Sequence, residues 1–293
     1  MDVNPQTDPA APPFGAGTPA ALAASQQPSE TAAREGYSLL GFAWFLVKLV
    51  VAVLILRTFI IAPFSIPSES MLPRLWQGDY LIATKWSYGY SSYSLPFGLS
   101  VGEGRLFASP PERGDVVIFK HPIDEQDYVK RVIGLPGDTV QMIGGQIVIN
   151  GETVSKEPIA DFHIPVSPNA SCAFGDRRPA TADRAAYCSY DRFREELPNG
   201  RVMDVLDFGL TPGDATVIET VPEGHMFVMG DNRDYSRDSR FAAMAGGAVG
   251  MVPQDKLVAR ARIVFWSTDG TAEWIKPWTW FTAARWDRIG TTL

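Results

Sequence analysis

The stretch YVKRVIGLPGDTVQMIGGQIVINGETV, residues 128–154, decides the fold class. Tyr128–Leu135 is a β-branched run that ends on Pro136-Gly137-Asp138, the composition of a strand running into a turn. Thr139–Val154 reads as consecutive hairpins, because Gly144-Gly145 and Asn150-Gly151 tolerate the backbone angles of tight turns between antiparallel strands. Outward from this stretch the same signature recurs. DYLIATK (79–85) and DVVIFK (115–120) precede it, and HMFVMG (225–230) and LVARARIVFWS (257–267) follow. The expected fold class is therefore mainly β. Residues 156–222 are polar and Pro-rich and read as irregular, an insertion or small second lobe within a domain running from 63 to 293.

That lobe holds both cysteines, Cys172 and Cys188. Either they close a short loop as a disulfide, which implies an oxidising compartment, or they are two separate reduced thiols. The three histidines, His121, His163 and His225, are scattered and read as turn or surface residues; neither H-E-x-x-H nor C-x-x-C occurs, so no metal site is expected. A net charge of −7 with no cluster of Lys and Arg argues against nucleic acid as a partner.

Upstream of the β-rich part lies LLGFAWFLVKLVVAVLILRTFII, residues 39–61. As a helix of 23 residues it spans about 34 Å, enough to cross a hydrocarbon layer of roughly 30 Å. Lys48 opposes insertion by about 3 kcal/mol, but the eleven Leu, Ile, Val and Phe residues from Phe42 to Leu56 favour it by roughly 3 to 7 kcal/mol. The segment is too long and begins too late for a cleaved leader, and residues 38–62 are expected to be a membrane anchor in contact with the lipid bilayer. Residues 1–37 are rich in Ala, Pro, Gln, Ser and Thr and are expected to be a disordered tail. At the other end Trp274, Trp278, Trp280, Phe281 and Trp286 alternate with Lys276, Arg285 and Arg288, a mixture that suits a lipid headgroup layer and equally suits packing against the domain.

Three stretches can hold chemistry. In Phe64-Ser65-Ile66-Pro67-Ser68-Glu69-Ser70-Met71-Leu72-Pro73, two prolines stiffen the chain around two serines spaced i, i+2, whose side chains point the same way if the segment is extended. A serine nucleophile needs a base, and no histidine or G-x-S-x-G elbow offers one. A lysine serves if desolvation lowers its pKa from about 10.4 towards 7 or 8. Val129-Lys130-Arg131-Val132-Ile133 sets Lys130 in an apolar strand, with alternation sending Lys130 and Arg131 to opposite faces, one buried and one in water. Lys85 and Lys120 compete for the role. The third stretch, Gly230-Asp231-Asn232-Arg233-Asp234-Tyr235-Ser236-Arg237-Asp238-Ser239-Arg240, is either a solvated turn or a buried polar network in which Asp238 pairs with Arg240.

Together and in this order the three stretches resemble the sequence boxes of bacterial type I signal peptidases. The resemblance covers Phe64 to Ala261 apart from the 156–222 insert and includes Gly78-Asp79-Tyr80 and Arg113-Gly114-Asp115. It implies a β-rich signal-peptidase core with a smaller inserted lobe, behind one transmembrane helix. Ser70 would be the nucleophile, Lys130 the general base, and Ser68 a hydroxyl donor to an oxyanion hole beside the Ser70 N–H. Ser236 would hold the Lys130 amine, Asp238 and Arg240 would brace the site, and Ile66, Tyr128 and Val129 would line shallow pockets for small residues. The resemblance further implies exported preproteins as substrates, cut after Ala-x-Ala-like sites, no cofactor, and a domain on the periplasmic side of the inner membrane. Two features depart from the family pattern: Tyr235 stands where Asn is frequent, and FAAMAGGAVGMV (241–252) is longer than the usual linker. Rival expectations are a specialised relative such as a conjugation-pilus peptidase, a self-cleaving Ser-Lys repressor-type protease, which the anchor disfavours, and a non-catalytic tethered domain that binds an envelope partner.

Overall fold

The computed structural model describes residues 39–94, 104–172, 175–273 and 275–293. The tail expected over 1–37 and Trp274 lie outside the described residues. Contacts divide the chain into two units, Met1–Leu46 and Val47–Leu293. The described part of the first is the opening of helix α1 (Leu39–Ile55).

No residue of α1 is buried. The helical run continues to Ile60, its last turn widened to π geometry, and its 22 residues are long and apolar enough to cross a membrane. It stops short of the expected 62. Pro63 cannot continue a helix and pushes Ala62 towards extended angles, so Ile61 is already in a strand.

In chain order the strands are β1 (Ile61–Ser65), β2 (Asp79–Thr84), β3 (Val116–Lys120), β4 (Asp127–Gly134) and β5 (Thr139–Ile143). Then come β6 (Gln146–Ile149), β7 (Glu152–Thr153), β8 (Ser155–Pro165), β9 (Asp176–Arg178) and β10 (Tyr187–Glu196). The last are β11 (Val202–Leu206), β12 (Glu219–Thr220), β13 (His225–Met229), β14 (Val252–Pro253) and β15 (Leu257–Ser267), followed by the short helix α2 (Trp278–Thr282). The main sheet is antiparallel with order β1-β2-β15-β3-β4-β13-β14, so the last strand in sequence sits between β2 and β3. The mainly β expectation holds.

The hairpins over 139–154 form as read: β12-β5-β6-β7 make a second sheet, with Gly144 and Gly145 at φ 56° and 79°, and Asn150 and Gly151 at φ 54° and 83°. The reading of 156–222 as irregular is corrected. Strands β8, β10 and β11 pair antiparallel, with β9 beside the start of β10. Only Phe162 and Ile164 of β8 are buried, so most of this strand lacks the apolar alternation by which strands are recognised. Its prolines, Pro158 and Pro165, are tolerated because β8 pairs on one side only among the described residues. Cys172 and Cys188 are joined as a disulfide, with Cα atoms 5.2 Å apart. Cys188 lies in the lobe's core with Phe162, Ile164 and Tyr190.

At the C-terminal end Phe281 stacks on Trp286, which meets Trp266 of β15 edge-on. These rings therefore pack on the domain, while Trp278, Phe281 and Trp286 also stay more than half exposed, at 65%, 64% and 56%.

Candidate active site

The segment after β1 is held from both sides. Ile66 continues the β1–β2 pairing through Ile66 N–H to Asp79 O (2.8 Å) and Gly78 N–H to Ile66 O (2.9 Å). Beyond it the condition of an extended segment is not met: the chain bends through Ser68 and Glu69 into a helical turn in which Leu75 N–H donates to Met71 O at 2.9 Å. Met71 and Leu75 enter the core below β2 and β15, and Leu72 enters the core of the lobe. Burying three such side chains is worth about 1.5–3 kcal/mol each, and it pins Ser70 between two cores. The bend still brings the two hydroxyls together, with Ser68 Oγ 3.3 Å from Ser70 Oγ. Ser68 is exposed and Ser70 only 9% exposed.

Lys130 reaches Ser70 from β4. Its Nζ donates to Ser70 Oγ at 2.7 Å. The lysine is 4% exposed, and burial pulls its pKa down to about 8 against the opposing pull of Asp238 and Asp231. The competing lysines are engaged elsewhere: Lys85 donates to the Ser94 carbonyl, and Lys120 pairs with Asp127 at 2.9 Å. The expectation that either Lys130 or Arg131 faces water is corrected, since Arg131 is buried too. A bidentate pair with Asp231 (2.7 and 2.6 Å) and a bond to the Gly114 carbonyl supply the counter-charge and acceptors that make its burial tolerable.

The third stretch is a buried network rather than a solvated turn. Asp231, Asn232, Arg233, Ser236 and Asp238 are each at most 5% exposed. Asp238 pairs with Arg240 through two contacts of 2.8 and 3.0 Å and accepts the Gly230 N–H at 3.1 Å. Burial opposes the Asp238 charge, but Arg240 outweighs it and holds the carboxyl below its ordinary pKa. Asn232 secures the backbone at Ser70, its N–H donating to Ser70 O (3.1 Å) and its amide to Glu69 O (3.2 Å). Gly230 lies so close that a Cβ there would sit 2.4 Å from both Ser70 O and Ser236 Oγ. In place of the expected bond from Ser236 to Lys130, the buried Ser236 hydroxyl lies by the Asp238 carboxylate and helps to hold it charged.

Sequence reasoning missed two supports. Asp231 neutralises Arg131, and Glu195 of β10 makes a bidentate pair with Arg233 at 2.8 and 2.6 Å, both side chains 1% exposed. A charged residue inside the third stretch signalled that a partner was needed, but Glu195 lay in the region read as irregular. His121 is a turn residue, as expected, but a buried one: it closes the β3–β4 turn, its Nδ1 accepting the Ile123 and Asp124 N–H groups.

Ser68, Ser70 and Lys130 line a groove of about 980 Å³, together with Ile66, Tyr128 and Val129. Residues of β1 form one wall and residues 126–130 the other. Three strands separate β1 from β4 in the sheet, so the sheet curls to bring them face to face. An extended peptide laid in this groove would present its backbone to a hydroxyl already in contact with an amine poised to lose its proton. That is the arrangement required for acyl transfer at a peptide carbonyl.

The profile of the family described as "Signal peptidase, peptidase S26" matches residues 39–266. Signal peptidase I of Rickettsia prowazekii (strain Madrid E) is 37% identical over 225 residues, 73% of this chain and 75% of that protein. Signal peptidase I of Rickettsia typhi is 36% identical over 237 residues, 78% of this chain and 80% of that protein. A crystal structure of a signal peptidase I from Enterococcus faecalis is 27% identical and covers 52% of this chain and 97% of that one, with a TM-score of 0.27, too low to bear on the fold.

Proposed function

The chain belongs to the signal peptidase family, peptidase S26, and from that premise we propose that Ser70 and Lys130 are the nucleophile and general base with which this membrane-bound serine endopeptidase removes signal peptides from preproteins. The observation that carries the proposal is the 2.7 Å contact between the Ser70 hydroxyl and a lysine amine shielded from water. Neutral Lys130 takes the Ser70 proton as Oγ attacks the scissile carbonyl. The oxyanion that forms is met by the Ser68 hydroxyl and the Ser70 N–H, donors of a type worth about 3 to 4 kcal/mol each. Lys130 then gives its proton to the departing amine of the mature chain, accepts one from an incoming water, and hydrolysis frees Ser70.

The remaining roles follow from position. Asp238 and Arg240 hold the Gly230 turn against the nucleophile, and Ser236 stands in that turn. Ile66, Tyr128 and Val129 leave shallow room beside Ser70, which suits the small side chains of an Ala-x-Ala site. The chain is a single-pass membrane protein, and we place its helix in the inner membrane, the tail before Leu39 in the cytoplasm and the β-rich domain in the periplasm, where an oxidised Cys172–Cys188 pair persists.

Purified full-length protein in detergent is expected to cut a preprotein after its Ala-x-Ala site, and Ser70→Ala and Lys130→Ala are each expected to reduce kcat by at least a thousandfold. Full activity in both variants would overturn the assignment.

A further inference from the structure

Successive residues of β4 face opposite ways, so while Lys130 lines the groove, Arg131 lines a separate cleft of about 500 Å³. Six arginines stand on its wall, Arg74, Arg131, Arg192, Arg194, Arg201 and Arg288, beside a single acidic side chain, Asp204. In a chain of net charge −7 this is a local reversal of sign.

The guanidiniums are undermatched. Asp231 serves Arg131, and Asp79 serves Arg288. Arg201 has Glu112 and Asp115, but Asp115 is shared with Arg260. Asp204 alone faces both Arg192 at 3.6 Å and Arg194 at 3.1 Å. Arg74 has no ion-pair partner among the described residues and donates to the Thr292 carbonyl. Arg74 and one of the two arginines at Asp204 are thus left without a side-chain carboxylate of their own. The cleft is also preorganised: Arg288 lies 4.5 Å over the Trp76 ring, which itself lines the cleft, and donates to the Arg74 carbonyl at 2.8 Å. Arg74 and Arg194 remain exposed and can reach a ligand from solvent.

We propose that this cleft is a binding site for a phosphate-type oxyanion, either free phosphate or the phosphate of a lipid headgroup. Guanidiniums short of side-chain carboxylates suit an oxyanion, and their planar forks meet the oxygens of a phosphate two at a time, a geometry that ammonium groups do not offer. The site is distinct from the catalytic groove, since of its wall residues only Arg131 adjoins a residue of the dyad.

The test is calorimetric titration of the full-length protein in neutral detergent with inorganic phosphate at constant ionic strength, with chloride as the control. Saturable phosphate binding is expected, weakened at least tenfold by Arg74→Gln and by Arg194→Gln. Arg194 lies on the lobe's surface, so its loss does not threaten the fold, and a melting curve checks both variants. Absence of saturable binding, or equal affinity in wild type and both variants, would overturn the proposal. Competition by short-chain phosphatidylglycerol, but not by the phosphatidylcholine analogue, assigns the site to anionic headgroups; phosphate binding that neither lipid disturbs assigns it to the free ion.

Discussion

At the scale of single residues, Lys130 concentrates the conflict between stability and function. Its depressed pKa, about 8, means that the amine is neutral and able to accept a proton only as pH rises through that value. The acid limb of kcat/KM is expected to have its midpoint near 8, measured from pH 5 to 10; a rate constant flat between 6 and 9 would remove Lys130 from the base role. The same shift has a sign for stability. Between about 8 and 10.5 the unfolded chain binds a proton here that the folded chain does not, so stability rises with pH through that window. Below it the buried charge costs on the order of 3 kcal/mol, at about 1.4 kcal/mol per pH unit. Lys130→Met is therefore expected to abolish cleavage yet stabilise the protein at pH 7 by roughly 1–3 kcal/mol, with the difference from wild type shrinking towards pH 10. Melting midpoints of the two proteins across pH decide it. Spacing and alternation made Lys130 a candidate but ranked it no higher than Lys85 or Lys120. What separates them is the hydrogen-bond partner of each amine, which depends on strands distant in sequence.

At the scale of elements, strand β10 reaches out of the lobe to fix the turn after Gly230. Glu195→Ala would strand the Arg233 guanidinium in a pocket where both partners are 1% exposed. A broken buried pair of this kind costs about 3–5 kcal/mol, whereas replacing both partners with apolar residues is often far less damaging. The single variant is expected to lose that much stability and most of its activity, and Glu195→Leu with Arg233→Met together to recover a large part of the stability. Urea midpoints for single and double variants are the check, and additive losses would mean the pair is not the link. The strands of the main sheet and the 139–154 hairpins were legible because β-branched runs and Gly-rich turns declare themselves locally. The lobe was not, because β8 turns mostly charged and proline residues to water and takes its identity from β10 alone. The end of the anchor was read two residues late for a related reason: Ile61 and Ala62 are apolar enough for either state, and pairing with Thr84 and Ala83 decides.

At the scale of the whole molecule, function depends on where the final long strand is inserted. The Ser70 segment hangs from β1 and β2, whereas Lys130 belongs to β4, paired with β3. Between those two halves lies β15, whose residues 257–267 are hydrogen-bonded to β2 on one side and β3 on the other. Contacts between segments so far apart along the chain form late, because a long loop must close before they are rewarded. A ribosome-bound chain arrested after Lys256 would contain every residue proposed for the chemistry and still is expected to leave a reporter preprotein uncut; processing by such an arrested chain would disprove this. A nascent copy of the protease is thereby harmless until β15 has been made and inserted, a latency set by the order of synthesis.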